Sequence, residues 1–166
     1  MNPQKKPERL ISIDPSINNL GMAIWNIPDK KLLGHMLMHP EKTHKGNEYD
    51  KSLSMYNQTR GWIEKYGVNR MIMEIPEVWA VAGFQARETG SMTKLMFVCG
   101  MLYSLRNDLD ELKLVTPRDW KGQLPKEVVA NRLNEHYLKL GLDLTKLDAN
   151  VADGIEIGHY YLFGGV

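Results

Sequence analysis

The stretch ISIDPSINNLGMAIWN, residues 11–26, carries the strongest indication of the fold of this chain. An apolar strand ends at Asp14, the chain turns through Pro-Ser-Ile-Asn-Asn, and a second apolar strand follows, whose Gly21 and Ala23 allow another backbone to approach closely. An acid at the end of a strand lies at the carboxyl edge of the sheet, where open α/β sheets bind their ligands. The stretch therefore predicts a hairpin that presents Asp14 as a candidate functional group.

The order of elements along the rest of the chain predicts a mixed sheet. Strands are expected over residues 9–14, 20–27, 31–38, 69–75 and 112–116, and helices over 49–66, 84–105, 126–140 and 148–162. The first three strands form an antiparallel meander, and right-handed crossovers bring the last two into parallel pairing. This order resembles the RNase H-like fold, an α/β fold with a mixed five-stranded sheet (three antiparallel strands plus two parallel) flanked by helices. Other mixed α/β folds share parts of the order, so the acidic residues must distinguish them.

A second acid, Glu74, ends the fourth predicted strand in the segment RMIMEIPEVW, residues 70–79. Parallel neighbours lie about 4.8 Å apart, so Asp14 and Glu74 are expected to face each other at one edge of the sheet. Two such anions need a cation, and carboxylate oxygens suit magnesium or manganese. A turn-capping role is the alternative for Asp14. A purely structural role is harder to assign to Glu74, because an unpaired buried carboxylate is costly.

The last predicted helix supplies a third acid, in LDANVADGIEIGHYYL, residues 147–162. Asp153 and position 150 are three residues apart and so lie on one helical face, whereas Asp148 is expected to be the N-cap. Asp153 could equally be a salt-bridge partner within the helix.

Length and composition favour one soluble domain over residues 1–166, with 43% hydrophobic residues. The beginning of the chain, MNPQKKPER, is polar, and no apolar run approaches the roughly 20 residues needed to cross a bilayer, so we expect a protein that is not secreted. The single cysteine, Cys99, lies in the apolar run LMFVCGML and is expected to be a buried thiol, which excludes an intramolecular disulfide and a cysteine-cluster metal site.

The net charge of +1 gives almost no support to a polyanionic partner. The distribution of charge along the chain does support such a partner. Between residues 113 and 126 there is one acid, Asp119, among two prolines, a glycine and four basic residues. The basic residues are Lys113, Arg118, Lys121 and Lys126. We interpret this stretch as a basic loop that contacts phosphates.

The three acidic segments, together with VTPRDWKGQLPKEVV at residues 115–129, resemble in order and spacing the motifs of the RuvC-type Holliday-junction resolvases and their phage relatives. The resemblance covers nearly the whole chain. It implies a crossover junction endodeoxyribonuclease with two Mg²⁺ (or Mn²⁺) ions per active site, held by Asp14, Glu74, position 150 and Asp153. It also implies branched DNA as the substrate, a homodimer and a cytoplasmic location, which is the host cytoplasm if a phage encodes the chain.

Position 150 departs from the family pattern, because Asn150 stands where the family usually has an acid or a histidine. Two explanations remain open. Asn150 is either a natural ligand variation, with Asp148 lending the missing charge, or a deliberate Asp-to-Asn change that traps an inactive protein. The second is slightly favoured, because the change conserves shape while weakening the hold on the metal.

In a two-metal site one ion activates the attacking water and the other stabilises the leaving 3′ oxygen. Lys121 and Lys126 match the family's lysine positions, and we assign Lys121 an electrostatic role in catalysis. The remaining candidates for DNA contact are Arg118, Arg87, and an aromatic residue, Trp79 or Phe84, that would enter the branch point. The histidines have no ligand spacing and are expected to be structural, with only His159 close in sequence to the last acid.

The helix expected over residues 84–105 is apolar over more of its circumference than one sheet can cover, which favours a two-fold symmetric homodimer. The alternative is that a neighbouring helix of the same chain covers the surplus face.

Three other functions compete. An actin-like ATPase needs a second domain, for which 166 residues leave no room. A non-catalytic junction-binding module would be compatible with a natural Asn150. A nuclease acting on other branched or flap DNA has the same motifs.

Overall fold

The computed structural model describes residues 7–42, 47–77 and 90–165. The strands are β1 Arg9–Asp14, β2 Leu20–Asn26, β3 Lys31–Met38, β4 Arg70–Glu74 and β5 Glu111–Val115. The helices are α1 Glu48–Tyr66, α2 Ser91–Tyr103, α3 Pro117–Lys121, α4 Lys126–Leu138 and α5 Ala149–Phe163, with 3₁₀ turns at Ser104–Asp108 and Leu144–Lys146. No helix in these ranges is long and apolar enough to cross a bilayer.

The five strands form one mixed sheet in the order β3-β2-β1-β4-β5. β1 is antiparallel to β2, and β2 is antiparallel to β3, whereas β4 runs parallel to both β1 and β5. The meander and the two parallel crossovers predicted from the sequence are therefore confirmed. Because β1 and β4 are central, parallel and adjacent, they end at the same edge of the sheet.

Each face of the sheet is covered by its own apolar core. On one face, odd-numbered residues of β1 such as Ile11 and Ile13 pack with Met55 of α1 and Leu102 of α2. On the other face, Leu10 of β1 and Ile72 of β4 share a core with residues of the last helices, among them Trp120, Leu133, Tyr137, Val151 and Ile155. The molecule thus has three layers, with the sheet between two sets of helices.

Helix α5 lies unusually close to the β1–β2 hairpin because glycine occupies the contact points. A Cβ atom on Gly21 would lie 1.9 Å from the carbonyl oxygen of Asn150, and one on Gly158 would lie 2.1 Å from Nε1 of Trp25. The buried Ser12 hydroxyl donates a 2.7 Å hydrogen bond to the Gly154 carbonyl and accepts one of 2.9 Å from Trp25 Nε1. The close approach sets how far α5 stands from the sheet.

Lys113 lies within β5, as the predicted strand over residues 112–116 requires, with its ammonium 5.1 Å from the centroid of the Tyr160 ring. The prediction of a loop between that strand and the helix at residue 126 is wrong in its first part. Residues 117–121 form the short helix α3, because Pro117 occupies its first turn and Thr116 and Asp119 make a reciprocal capping box. The basic side chains are therefore divided among a strand and two helices.

Other boundaries differ only slightly from the prediction. The helix predicted over 84–105 is observed as α2 from Ser91, followed by a 3₁₀ turn, while residues 84–89 lie outside the described structure. The helix predicted to close at Gly141 ends as α4 at Leu138, and Gly141 adopts a positive φ of 81° in the turn that follows.

We expect Gly158→Ala to destabilise the protein by about 3 kcal/mol or more, because the new methyl group overlaps a buried indole that has no room to move. Gly61→Ala is the matched control, since Gly61 lies inside helix α1 with nothing within 4 Å of the place that the new methyl group would take. That change should stabilise by about 0.5–1 kcal/mol, through lower backbone entropy in the unfolded chain. Urea unfolding monitored by circular dichroism measures both, and similar values for the two variants would contradict the close packing of α5.

Candidate active site at the carboxyl edge of the sheet

Two carboxylates end neighbouring parallel strands at the centre of the sheet. Asp14 is the last residue of β1 and Glu74 is the last residue of β4. Ile13 pairs with Met73 in the ladder, so the two acids are the next residues along adjacent strands. Side chains alternate along a strand, and Ser12 contacts α5, so Asp14 lies on the α5 side of the sheet. Glu74 lies on the same side by the same alternation from Ile72.

Both carboxylates act electrostatically on Cys99 of α2. The pKa of the Cys99 thiol is raised to about 12, first by burial and then by the negative charges of Glu74 and Asp14. The thiol is 4% exposed, so it stays protonated and belongs to the core, as the sequence predicts.

The first turn of α5 covers the same edge. Gly21 pairs with Asp14 across the β1–β2 ladder, and the Asn150 backbone packs directly on Gly21. Asp153 follows within one helical turn and is 9% exposed. The structure therefore places both predicted positions of the last helix at the end of β1.

Asp148 is the N-cap of α5, as expected from the sequence. Its carboxylate accepts a 2.9 Å hydrogen bond from the backbone N–H of Asn150. This contact uses the Asp148 side chain at the helix terminus, where a negative charge also interacts favourably with the helix dipole. Asp148 is thus better explained as a cap than as a source of the charge that Asn150 lacks.

Glu74 is held by a residue that the sequence analysis missed. The indole Nε1 of Trp120 donates a 2.6 Å hydrogen bond to Glu74 Oε2, and Trp120 is 3% exposed. The ammonium of Lys121 lies 5.0 Å from the Trp120 ring centroid. Trp120 stands beside the predicted lysine in the segment RDWKG, but only the parallel pairing of β4 and β5 brings it to Glu74.

A polar cleft of about 350 Å³ opens beside this edge. Its lining includes Glu77, Arg118 and Lys121. Glu77 follows β4 by three residues, and its buried Oε2 has no hydrogen-bond partner among the described residues. The sequence analysis did not select Glu77, although it lies in the same segment as Glu74.

The expectation that Asp14, Glu74 and Asp153 lie within metal-bridging reach of one another stays a prediction. Among residues 7–42, 47–77 and 90–165, no three His, Cys, Asp or Glu side chains are close enough together to hold a metal ion. The Glu74 carboxylate is engaged by Trp120, and the mutual repulsion of carboxylates opposes a closer approach. The donor chemistry nevertheless fits, because three carboxylates and the Asn150 amide offer only the oxygen ligands that Mg²⁺ and Mn²⁺ prefer.

Several predicted DNA contacts fall outside the described structure. Trp79, Phe84 and Arg87 lie in residues 78–89, which the structure does not describe. The side chain of Lys126, at the start of α4, is not described either. Arg118 is exposed on α3, where it lines the polar cleft with Lys121.

Another buried acid, Glu156, lies one turn after Asp153 and is fully buried. Burial, and then the charge of Glu156, raise the pKa of Tyr137, whose hydroxyl lies 3.0 Å from Nδ1 of His159. Burial and the nearby His136 lower the pKa of His159 to about 4, so the ring is neutral near pH 7. His159 therefore contributes to packing behind the site, in agreement with the structural role predicted for it.

No protein-family model matches the sequence, and a search of curated proteins finds no match. Solved structures do match. RuvC from T. thermophilus, in complex with a Holliday junction substrate, superposes with a TM-score of 0.70 at 16% identity, covering 91% of this chain and 90% of that one. The yeast mitochondrial Holliday junction resolvase Ydc2 gives 0.59 at 15% identity, with 97% and 82% coverage. The fowlpox virus Holliday junction resolvase gives 0.53 at 17% identity, with 94% and 98% coverage.

These similarities extend over the whole sheet and its flanking helices, at sequence identities that establish a shared fold. Two of the three proteins are Holliday junction resolvases by name, and the third is seen bound to a Holliday junction substrate. The resemblance first indicated by the acidic motifs is therefore confirmed at the level of structure. The chain has the RNase H-like fold of the RuvC-type Holliday junction resolvases.

Proposed function

We propose that this chain is a metal-dependent, structure-selective DNA endonuclease that nicks four-way or otherwise branched DNA. The observation that carries the proposal is the arrangement of Asp14 and Glu74 on adjacent parallel strands, with Asp153 in the helix that packs on the end of β1. Oxygen ligands placed in this way are suited to phosphodiester chemistry with divalent cations. The fold shared with junction resolvases supports branched DNA as the substrate class.

The residues proposed to hold two Mg²⁺ or Mn²⁺ ions are Asp14, Glu74, Asn150 and Asp153. Ions bound there would activate the attacking water and stabilise the charge on the leaving 3′ oxygen. The protein's part is to orient the carboxylates. Trp120 is a positioning residue in this scheme, because its N–H fixes the direction of the Glu74 carboxylate.

Lys121 and Arg118 are proposed to bind the phosphate backbone along the polar cleft. Cleavage increases the negative charge on the scissile phosphate, so an ammonium group beside it lowers the barrier. Lys121 is the better placed of the two, because it packs on the same indole that holds Glu74. Lys126, Arg87 and one aromatic residue, Trp79 or Phe84, are proposed as further DNA contacts.

A non-catalytic junction-binding module is the second candidate. Asn150 favours it, because a neutral amide holds a hard cation less strongly than a carboxylate does. The two functions differ in whether junction DNA is cut or only bound. A nuclease specific for flaps or other branches differs from both in its substrate preference.

With Mg²⁺ or Mn²⁺, we expect the protein to nick a four-way junction at least about tenfold faster than a linear duplex or a flap. Asp14→Asn should reduce that rate by about 100-fold or more, because a ligand charge is lost. Denaturing gel electrophoresis of end-labelled junctions measures the nicks. Asp108→Asn makes the same chemical change at an exposed site away from the edge and should cleave like the parent. Cleavage that survives Asp14→Asn would contradict the assignment, and binding without cleavage would favour the second candidate.

Asn150→Asp should increase metal-dependent cleavage by about an order of magnitude or more, because it restores an anionic ligand for a hard cation. The metal concentration that gives half-maximal cleavage should fall in parallel. Asp148→Asn tests whether Asp148 supplies the negative charge that Asn150 lacks. The new amide oxygen can still accept the hydrogen bond that caps α5, so both the thermal stability and the metal requirement should stay close to those of the parent. Equal rates for the parent and Asn150→Asp would show that the amide is a fully working ligand.

We also propose a two-fold symmetric homodimer through α2. Val98 and Leu102 of this helix are buried in the core, whereas Met96, Phe97 and Tyr103 are 50%, 38% and 38% exposed. An apolar cleft of about 270 Å³ adjoins Met96 and Tyr103, between α2 and the ends of β4 and β5. Helix α1 packs on α2 from another side, where Tyr49 meets Phe97 edge-on with ring centroids 4.7 Å apart, so the neighbouring helix leaves Met96 and Tyr103 uncovered. A dimer would supply the two matched sites that paired nicks require.

The expected effect of Met96→Glu is dissociation to a monomer at micromolar concentration, because a buried charge at an interface is costly. Sedimentation velocity measures the change. Leu138→Glu is the matched control, since Leu138 on α4 is also 50% exposed but lies on the opposite side of the sheet. A parent protein that remains monomeric even with junction DNA bound would rule out the dimer.

A further inference from the structure

A second pocket lies at the end of the sheet opposite the candidate active site. It encloses about 610 Å³ between the β2–β3 turn and the C-terminal ends of α4 and α5. The residues that define its chemistry are Trp25, Lys30, Lys31, His136, Tyr137 and Phe163. We call it the rear pocket. Its volume is typical of cavities that bind small molecules.

The rear pocket is remote from the carboxylates. Asp14 pairs with Gly21 at one end of the β1–β2 ladder, and Arg9 pairs with Asn26 at the other. Asp14 lies five positions along β1 from Arg9, so the two ends of this strand are roughly 17 Å apart. Helix α5 connects the two places, because it begins at Asn150 beside the active edge and ends at Phe163 in the pocket. The rear pocket therefore does not belong to the site described above.

The pocket is lined by four aromatic side chains together with three leucines, Leu32, Leu140 and Leu142. Trp25 and Tyr137 make a buried floor, 1% and 2% exposed, with ring centroids 6.4 Å apart in an edge-on arrangement. Phe163 stands at the rim, 43% exposed, and is stacked on His159 at 4.4 Å and 23°. His159 and Tyr137 are both uncharged near neutral pH, since burial lowers the pKa of the imidazole and raises that of the phenol. The buried floor of the pocket is thus aromatic and uncharged.

The rim carries positive charge. Lys30 and Lys31 both line the pocket, and the Lys30 ammonium lies 4.7 Å from the centroid of the Phe163 ring. The neighbouring acid, Asp29, accepts a hydrogen bond from the Asn26 side chain. Asp29 lines the pocket as well, so the opening carries two positive charges against one negative.

The turn that presents these lysines has a strained backbone. Lys30 has a φ of 51°, and it is the one residue other than glycine with a positive φ in the described part of the chain. This left-handed conformation is unfavourable for a residue with a Cβ atom and is usually occupied by glycine or asparagine. Backbone strain of this kind is concentrated at functional sites.

We propose that the rear pocket binds a nucleotide, with the base among the aromatic rings and the phosphate at Lys30 and Lys31. An ammonium over an exposed ring marks a face on which a flat, electron-poor group can also stack. A base that stacks on Phe163 displaces the Lys30 ammonium from the ring and leaves it free to pair with the phosphate. The nucleotide is either a free mononucleotide or an unpaired residue of a nucleic-acid strand, since both offer the same base and phosphate.

Titration calorimetry with adenosine 5′-monophosphate tests the proposal directly. The expected result is one site per chain, with adenosine alone and inorganic phosphate alone at least about tenfold weaker, because each lacks one of the two contacts. Titration with a five-nucleotide single-stranded DNA distinguishes a free nucleotide from a nucleic-acid strand as the ligand. Tighter binding of the oligonucleotide than of the mononucleotide identifies a strand as the ligand, and the reverse order identifies a free nucleotide.

Two variants locate the site. Lys30→Gly removes the cation but suits the left-handed backbone, so it should weaken mononucleotide binding about tenfold while the melting temperature stays the same or rises. Phe163→Leu should weaken binding similarly by removing the stacking face. Lys65→Gln is the control, because Lys65 also lies over aromatic rings, 5.2 Å from those of Trp62 and Tyr66, but on the surface of α1. It should bind like the parent.

The outcomes separate this inference from the proposed nuclease function. Asp14→Asn should leave mononucleotide affinity unchanged, and Lys30→Gly should leave cleavage chemistry at the far edge unchanged. Mononucleotide binding that is lost in Asp14→Asn but kept in Lys30→Gly would overturn the rear pocket as the site. Absence of mononucleotide and oligonucleotide binding at millimolar concentration would overturn it as well, as would a preference for phosphate alone or for an acidic, tryptophan-containing tripeptide.

Discussion

The hydroxyl of Ser12 joins the central strand to the last helix and to the indole behind it. It donates to the Gly154 carbonyl at 2.7 Å and accepts from Trp25 Nε1 at 2.9 Å, in a region from which water is excluded. Without Ser12, the indole N–H of Trp25 would be a costly unsatisfied donor in an apolar core. Because one side is β1 and the other is α5, this contact sets both the position and the rotation of the helix on the sheet.

The consequences of that docking reach both ends of α5. At its beginning, the helix backbone packs on Gly21 and brings Asn150 and Asp153 to the end of β1, where Asp14 lies. At its other end, the same helix carries Phe163, stacked on His159, to the rim of the rear pocket. The absence of side chains at the glycine contacts makes the close approach possible. A single packing constraint thus positions the two surfaces to which we assign function.

The electrostatics of the carboxyl edge depend on a different long-range contact. Negative charge from Asp14 and Glu74 is strong enough at Cys99 to help hold that thiol in its protonated form. The indole N–H of Trp120 offsets part of this concentration of charge at Glu74, and the basic side chains of α3 lie on the same wall. The proposed acidic ligands are therefore separate from the proposed phosphate contacts, which lie on the short helix α3. Such a separation would suit a site in which an anionic DNA backbone approaches an acidic centre.

Local patterns were sufficient for much of the fold. The bounds of β1 and β3 agree with those predicted, Gly67 ends α1 in the left-handed conformation expected of a C-cap, and Asp148 caps α5. These features depend on alternation, helical spacing and side chains that bond to their own backbone, all of which act over a few residues. The basic stretch was misjudged because its prolines and glycine suggested a loop, whereas the reciprocal bonds between Thr116 and Asp119 start a helix there.

The order of elements, the mixed sheet and the placement of Asp14 and Glu74 at strand ends could thus be predicted from the sequence, because each follows from local periodicity and from the rule that parallel strands end at one edge. Three-dimensional packing was needed to establish that Trp120 holds Glu74 and that Lys30, Phe163 and Trp25 meet at the far end of the sheet. Those contacts join residues separated by tens to more than a hundred positions. Their geometry depends on how α5 and α3 pack on the sheet, which no local pattern encodes.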